Sequence, residues 1–203
     1  MEFKKRIILF CLLIYPSILA GCEYSDDDSE MCFIGDSITY AWDLDLHFPN
    51  TINYKYARNG AWVQGIRNWD ISLCQNKKTV LLMGTNNIGP LNPNEINRDS
   101  VESEFSALYI KYAKKIKAST LYAISILPRK SKGQTNETNL FLREQNDLLK
   151  EELKKSSINH KFIDVFELFV DDDYNLLEPY FKDGVHPNAT GYEILSREVR
   201  RFL

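Results

Sequence analysis

Histidine is scarce in this chain: His47, His160 and His186 are all that 203 residues contain. Chemistry that needs an imidazole base must therefore be argued from three positions. An excess of basic charge is also lacking, with 25 Lys and Arg against 28 Asp and Glu, so no nucleic-acid partner is implied. Internal repeats are absent. The acidic run Asp171-Asp172-Asp173 lacks the alternating spacing, the glycine and the terminal glutamate of an EF-hand calcium loop, and reads as a solvated loop. Only one long, almost wholly apolar run occurs, Ile7 to Tyr15. It is about as long as the core of a signal peptide and too short to span a bilayer comfortably.

Lys4, Lys5 and Arg6 precede that run as a basic n-region, and Leu19-Ala20-Gly21-Cys22 follows it. The tetrapeptide resembles the lipobox of bacterial lipoproteins. The resemblance implies that residues 1–21 are a signal peptide, that Cys22 is lipidated as the new N-terminus, and that the protein sits in the bacterial cell envelope. Contact with a membrane is then through the lipid anchor only, since a multiply acylated terminus holds stably. Residues 22–30 include Asp26-Asp27-Asp28-Ser29-Glu30, a tether too polar to pack. The tether is similar to the acidic signal of some surface-exposed lipoproteins, which would put the protein at the outer membrane or cell surface, and it reads equally as a plain solvated linker. Removing Glu2, Lys4, Lys5 and Arg6 with the leader leaves 22 basic and 27 acidic residues, a formal charge of −5. Cys11 leaves too and Cys22 carries lipid. Cys32 and Cys74 then remain, either paired in an oxidising compartment or as separate buried thiols.

Residues 31–203 suffice for one domain with a substantial core. Short apolar runs alternate with helical patterns, the signature of a parallel sheet covered on both faces. Strands are expected at Met31 to Ile34, Ile52 to Ala57, Thr79 to Met83, Thr120 to Ile126 and Lys161 to Val165. Between them, Val101, Phe105, Leu108, Tyr112 and Ile116 recur at helical spacing over Asp99 to Lys117, with Asp99 and Glu102 as a capping-box-like start. Thr138 to Lys155 and Ala189 to Leu203 are two further helices.

In an open α/β sheet, ligands bind at the carboxyl ends of the strands, so the loops there should carry the chemistry. Gly35-Asp36-Ser37 follows the first strand, Asn59-Gly60 the second and Gly84-Thr85-Asn86-Asn87 the third, while Asp183-Gly184-Val185-His186-Pro187-Asn188 precedes the last helix. A serine hydroxyl attacks an ester carbonyl only if a base takes its proton. His186 is the best candidate. His160 lies in the polar approach to a strand and His47 in a loop with Asp43 and Asp45, so a solvated surface role is expected for both. Asp183, three residues before His186, is close enough to accept from the imidazole and fix its tautomer.

Gly35-Asp36-Ser37-Ile38-Thr39 resembles block I of the SGNH (GDSL) hydrolases, Gly60 block II, Gly84-Thr85-Asn86 block III, and Asp183 with His186 block V. The resemblance covers essentially the whole domain. It implies a flavodoxin-like three-layer α/β/α sandwich with a mainly parallel five-stranded sheet, and a serine esterase working through an acyl-enzyme without metal or organic cofactor. By the same resemblance Ser37, Asp183 and His186 are catalytic, and the oxyanion hole is made by the N–H groups of Ser37 and Gly60 and the amide of Asn86. Asp36 orients the nucleophile's turn. Asn87 departs from the family's common form, which often has an acidic residue there, so support of that loop should differ.

The substrate is a small-molecule or glycan ester, and a short acyl group, acetyl on a carbohydrate, is expected. The connections are short and carry no inserted cap, leaving little apolar lining. Trp62, just after Gly60, offers a platform for a sugar, whereas Trp42 and Trp69 read as core. The loop with Arg129, Lys130 and Lys132 would tolerate an acidic glycan. Alternatives are a lipid or thioester acylhydrolase and, from a different class, a surface glycan-binding lipoprotein without turnover.

Overall fold

The computed structural model describes residues 29–88, 98–130 and 136–203. The leader, Cys22, Asp26 to Asp28 and Lys132 lie outside the described residues, as do the side chains of the expected Asp99 and Glu102 cap. Five strands form: β1 (Ser29–Gly35), β2 (Thr51–Ala57), β3 (Lys78–Leu82), β4 (Thr120–Ile124) and β5 (His160–Ile163). Each coincides with an apolar run to within two residues at its ends. The helices are α1 (Ser37–Ala41), α2 (Leu44–His47), α3 (Thr85–Ile88), α4 (Arg98–Ile116), α5 (Glu137–Lys155) and α6 (Ala189–Arg200).

The strands pair in the order β2-β1-β3-β4-β5, and every pair is parallel. This is the flavodoxin-like order, whose direction of winding reverses between β1 and β3. Gly35 pairs with Ala57 on one side and Leu82 on the other, so β1, β2 and β3 end level. Their following loops consequently lie side by side at the reversal.

Alternation along β1 splits the interior into two layers. Cys32 and Ile34 face a core with Leu81, Leu121, Tyr109 and Ile116 of α4, and Leu142, Leu149 and Leu153 of α5. Met31 and Phe33 face the other, with Val80, Ile124, Ile38 and Trp42, and Leu195 and Val199 of α6. In α4 it is Tyr109 that lies fully buried, with Leu108 only partly so. Tyr109 donates its hydroxyl to the Leu81 carbonyl at 3.3 Å, which satisfies the one polar atom such a ring brings inside.

Buried asparagines on α5 hold the exit of β4. Asn146 accepts from the Ile126 N–H at 2.7 Å and donates to its carbonyl at 3.0 Å, while Asn139 accepts from the Arg129 N–H at 2.9 Å. Backbone groups beyond the strand end would otherwise be buried unpaired, at about 1–3 kcal/mol each. Cys32 and Cys74 are joined in a disulfide with Cα atoms 5.5 Å apart, tying β1 to the 3-10 turn before β3.

His47 corrects the surface role expected from its acidic neighbours. It is buried where α2 meets α6, its Nδ1 lies 3.3 Å from Glu193 Oε2, and its carbonyl accepts from Arg200 Nη1 at 2.8 Å. Neighbours in sequence did not reveal that packing partner. His160 is half-buried, with its Nδ1 2.8 Å from the Ile158 carbonyl. Asp171 folds its own turn by accepting from the N–H groups of Asp173 at 3.0 Å and Asn175 at 2.8 Å. Among the described residues, no helix is long and apolar enough to cross a membrane.

Candidate active site

The strand-to-helix turn at the end of β1 presents Ser37 as the first residue of α1. Asp36 is the N-cap, its Oδ1 accepting from the Ile38 N–H at 2.9 Å. A β-carbon on Gly35 would sit 1.9 Å from Thr39 Oγ1 and 2.7 Å from the Leu82 carbonyl oxygen, so only glycine permits a turn this tight. From the other side of α1, Tyr192 donates its hydroxyl to the Ile38 carbonyl at 2.7 Å.

Asp183 organises the loop before α6. Its Oδ1 accepts from the N–H groups of Val185 at 3.0 Å and His186 at 2.8 Å, and its Oδ2 lies 2.8 Å from His186 Nδ1. The remaining imidazole nitrogen, Nε2, is 2.8 Å from Ser37 Oγ. Ser37, His186 and Asp183 thus stand in a continuous chain of contacts, although Ser37 and His186 are 149 residues apart. Partial burial pushes the Asp183 carboxyl up, but the His186 N–H, its imidazole and the Val185 N–H outweigh it and hold the group at about 2. An ionised Asp183 favours a proton on His186 Nδ1, leaving Nε2 to accept from a serine hydroxyl.

Asp36 is different. It has no exposed surface, and burial pushes its carboxyl up to about 6 against the pull of the Ile38 N–H, His186 and Thr85. The Thr85 hydroxyl is near enough to favour the anion but falls short of hydrogen-bonding geometry, so Asp36 Oδ2 and Thr85 Oγ1 are both buried without a formal partner.

The loops after β2 and β3 are braced to each other. Asn86 donates an amide N–H to the Ala61 carbonyl at 3.0 Å, and among the described residues no acceptor takes its second. Asn87 accepts from the Val63 N–H at 3.0 Å and donates to Gln64 Oε1 at 3.0 Å. At the position where the family often has an acidic residue, the neutral amide of Asn87 thus braces the loop by accepting and donating at once. The brace eluded sequence reading because its partners, Val63 and Gln64, belong to no recognised motif. Gly60, three residues beyond the end of β2, is exposed and has φ +68, a left-handed conformation that favours glycine. Among the described residues, no backbone carbonyl accepts from the N–H of Ser37 or Gly60.

Trp42 is fully buried, as expected of a core residue, and donates to Ser196 Oγ at 2.9 Å. Trp69 is half-buried, with the Arg58 guanidinium 5.3 Å from its ring centre, and Trp62 is exposed. The basic loop divides: Lys130 pairs with Glu178, whereas Arg129 is half-buried with its Nε lacking a hydrogen-bond partner. Lys130 also donates its N–H to the Gly184 carbonyl at 2.7 Å, fastening the β4 exit to the loop that carries Asp183 and His186.

A GDSL-like lipase from Bacteroides thetaiotaomicron VPI-5482 matches with a TM-score of 0.66 and 21% identity, over 87% of this chain and 88% of its own. A catalytic mutant of an acetylxylan esterase from Geobacillus stearothermophilus matches at TM-score 0.63 and 15% identity, over 85% and 93% of the two chains. The lipase/acylhydrolase from Enterococcus faecalis does so at 0.62 and 16%, over 85% and 94%. At these identities the likeness establishes the fold. No curated protein matches the chain. The model of the GDSL-like lipase/acylhydrolase family matches residues 33–194, from β1 into α6. The chain therefore belongs to the GDSL-like lipase/acylhydrolase family, and its enzyme class is that of an SGNH-type ester hydrolase.

Proposed function

We propose that this protein is a carbohydrate acetyl esterase with Ser37 as nucleophile, His186 as base and Asp183 as the group that orients it. The observation that carries the mechanism is the pair of 2.8 Å contacts linking Ser37 Oγ, His186 and Asp183. Ser37 Oγ attacks the acetyl carbonyl carbon as its proton passes to His186 Nε2. The carbonyl oxygen becomes an oxyanion, stabilised by the N–H groups of Ser37 and Gly60 and the second N–H of Asn86. Collapse of the tetrahedral intermediate breaks the ester C–O bond, and His186 returns the proton to the departing sugar hydroxyl. A water then attacks the acetyl-serine, again giving its proton to His186, and acetate leaves as the proton returns to Ser37 Oγ.

A short acyl group is supported by the polar loops around the site. The segments 58–62, 84–87 and 183–188 offer no long apolar trough, and each methylene of an acyl chain contributes only about 0.8 kcal/mol when buried. Selectivity would come from steric exclusion. The acetylxylan esterase among the similar structures agrees with this substrate class. By the lipobox reading, the enzyme is held in the cell envelope by lipid on Cys22.

A fluorophosphonate is expected to label Ser37, and Ser37→Ala to lose at least about 10⁴-fold in kcat. An adduct located elsewhere by mass spectrometry would sink the mechanism. The substrate is tested by kcat/KM for acetyl, butyryl, octanoyl and palmitoyl p-nitrophenyl esters, alongside acetate release from acetylated xylan and other acetylated glycans. Acetyl should be preferred. A preference for octanoyl or palmitoyl, with no acetate released from any glycan, would move the assignment to a lipid or thioester acylhydrolase.

A further inference from the structure

Trp62 combines an exposed side chain with a hydrogen-bonded backbone. Half of its surface is open to solvent, at 50%, whereas Trp42 has none exposed. Yet the backbone on both sides of it is held. Ala61 before it accepts from Asn86 at 3.0 Å, Val63 after it donates to Asn87 at 3.0 Å, and its own carbonyl accepts from the Gly65 N–H at 2.8 Å. Two of these contacts come from the loop after β3, which carries Asn86. The backbone that carries the indole is therefore pinned between the two loops that hold Gly60 and Asn86, and it cannot move without disturbing them.

A large aromatic ring left in water on a braced mount forgoes burial that a core position would provide. The ordering cost of the backbone that carries it, however, is met before any ligand arrives, which favours affinity. From this placement we propose that Trp62 is a specificity residue, a stacking platform for the pyranose ring that carries the ester. A sugar suits it because one face of a pyranose presents C–H groups that can lie on an indole while its hydroxyls stay in water. The proposal rests on the carbohydrate reading above and deepens it. Trp62 does not touch the reacting atoms, so its contribution falls on substrate binding.

The test uses acetylated xylo-oligosaccharides with the enzyme, and xylohexaose binding to the Ser37→Ala variant measured by isothermal titration calorimetry. Trp62→Ala is expected to raise KM for the acetylated oligosaccharide about tenfold, a loss of about 1.4 kcal/mol, with kcat moving less than about twofold. Trp62→Phe should recover most of it. In the Ser37→Ala background, Trp62→Ala should weaken xylohexaose binding by a similar factor. If acetate is released but neither KM nor binding responds to Trp62→Ala, the platform is wrong and the esterase reading stands. A fall in kcat with unchanged KM also overturns it, leaving Trp62 as a mere part of the brace. If no glycan is deacetylated yet xylohexaose binding depends on Trp62, the sugar platform stands and the carbohydrate-esterase reading fails. Failure of xylohexaose to bind overturns the platform.

Discussion

Asp36 has no exposed surface, and an ionised carboxylate in that place is held at a free-energy cost. Its carboxyl is raised to about 6 from an ordinary 3.8, so between about pH 4 and 6 the folded chain binds more protons at this site than the unfolded chain. Stability from this group is thus complete below the unfolded value and is lost as pH rises through the folded one. The loss amounts to about 3 kcal/mol at 1.36 kcal/mol per pKa unit. Asp183 acts in the opposite direction and in another window. Its folded value is depressed to about 2, so its contribution is present above the unfolded value and lost only as pH falls towards 2. Asp36→Asn keeps an oxygen to cap α1 but carries no charge. Urea unfolding at pH 4 and pH 7 should therefore show the variant gaining about 2–3 kcal/mol on the wild type between the two. A difference independent of pH would mean that Asp36 does not titrate with a raised pKa between those values. The motif around Ser37 was legible in the sequence, but the burial that perturbs Asp36 was not, since it arises from the packing around the Ser37 turn.

The short elements near the site are held by cross-links more than by their own propensity. Apart from the end of β1 and all of β2, the segment between Cys32 and Cys74 contains only short helices and turns. The disulfide closes 42 residues, for which loop-closure entropy contributes about 4 kcal/mol. Both cysteines are fully buried, so a reductant should act only through unfolding. Urea denaturation with and without dithiothreitol, after full reduction, is expected to show a loss of about 3–4 kcal/mol, and equal midpoints would refute the link's role. The sequence left the two thiols as a pair or as separate residues. Pairing was decided when the segment before β3 folded back against β1 and brought their Cα atoms to 5.5 Å. The helices of 19 residues were by contrast legible in the sequence: α4 from periodicity, because side chains three and four apart share a face wherever the helix is placed, and α5 from its content of Leu, Glu and Lys, which favour helix on their own.

For the whole molecule, the expected lipid on Cys22 sets where the catalytic domain works. Wild-type protein should partition into detergent and carry added lipid mass on Cys22, and Cys22→Ser should move it to the aqueous phase with the domain's esterase activity retained. Recovery of unlipidated wild type in the aqueous phase would make the leader an ordinary signal peptide. Within the domain, the sequence by itself determined the five strands, the long helices and the residue types at each strand end. Those depend on local periodicity and on turns that only certain residues can make. Tertiary structure decided which of those ends meet. Ser37 and His186 close to 2.8 Å because β1 lies between β2 and β3 and the loop before α6 folds over its carboxyl end. His47 went to the interior and Trp62 stayed outside for the same reason: burial depends on which helix or loop arrives from elsewhere in the chain. Strand order is set by covering both faces of the sheet at once, and no local segment contains that information.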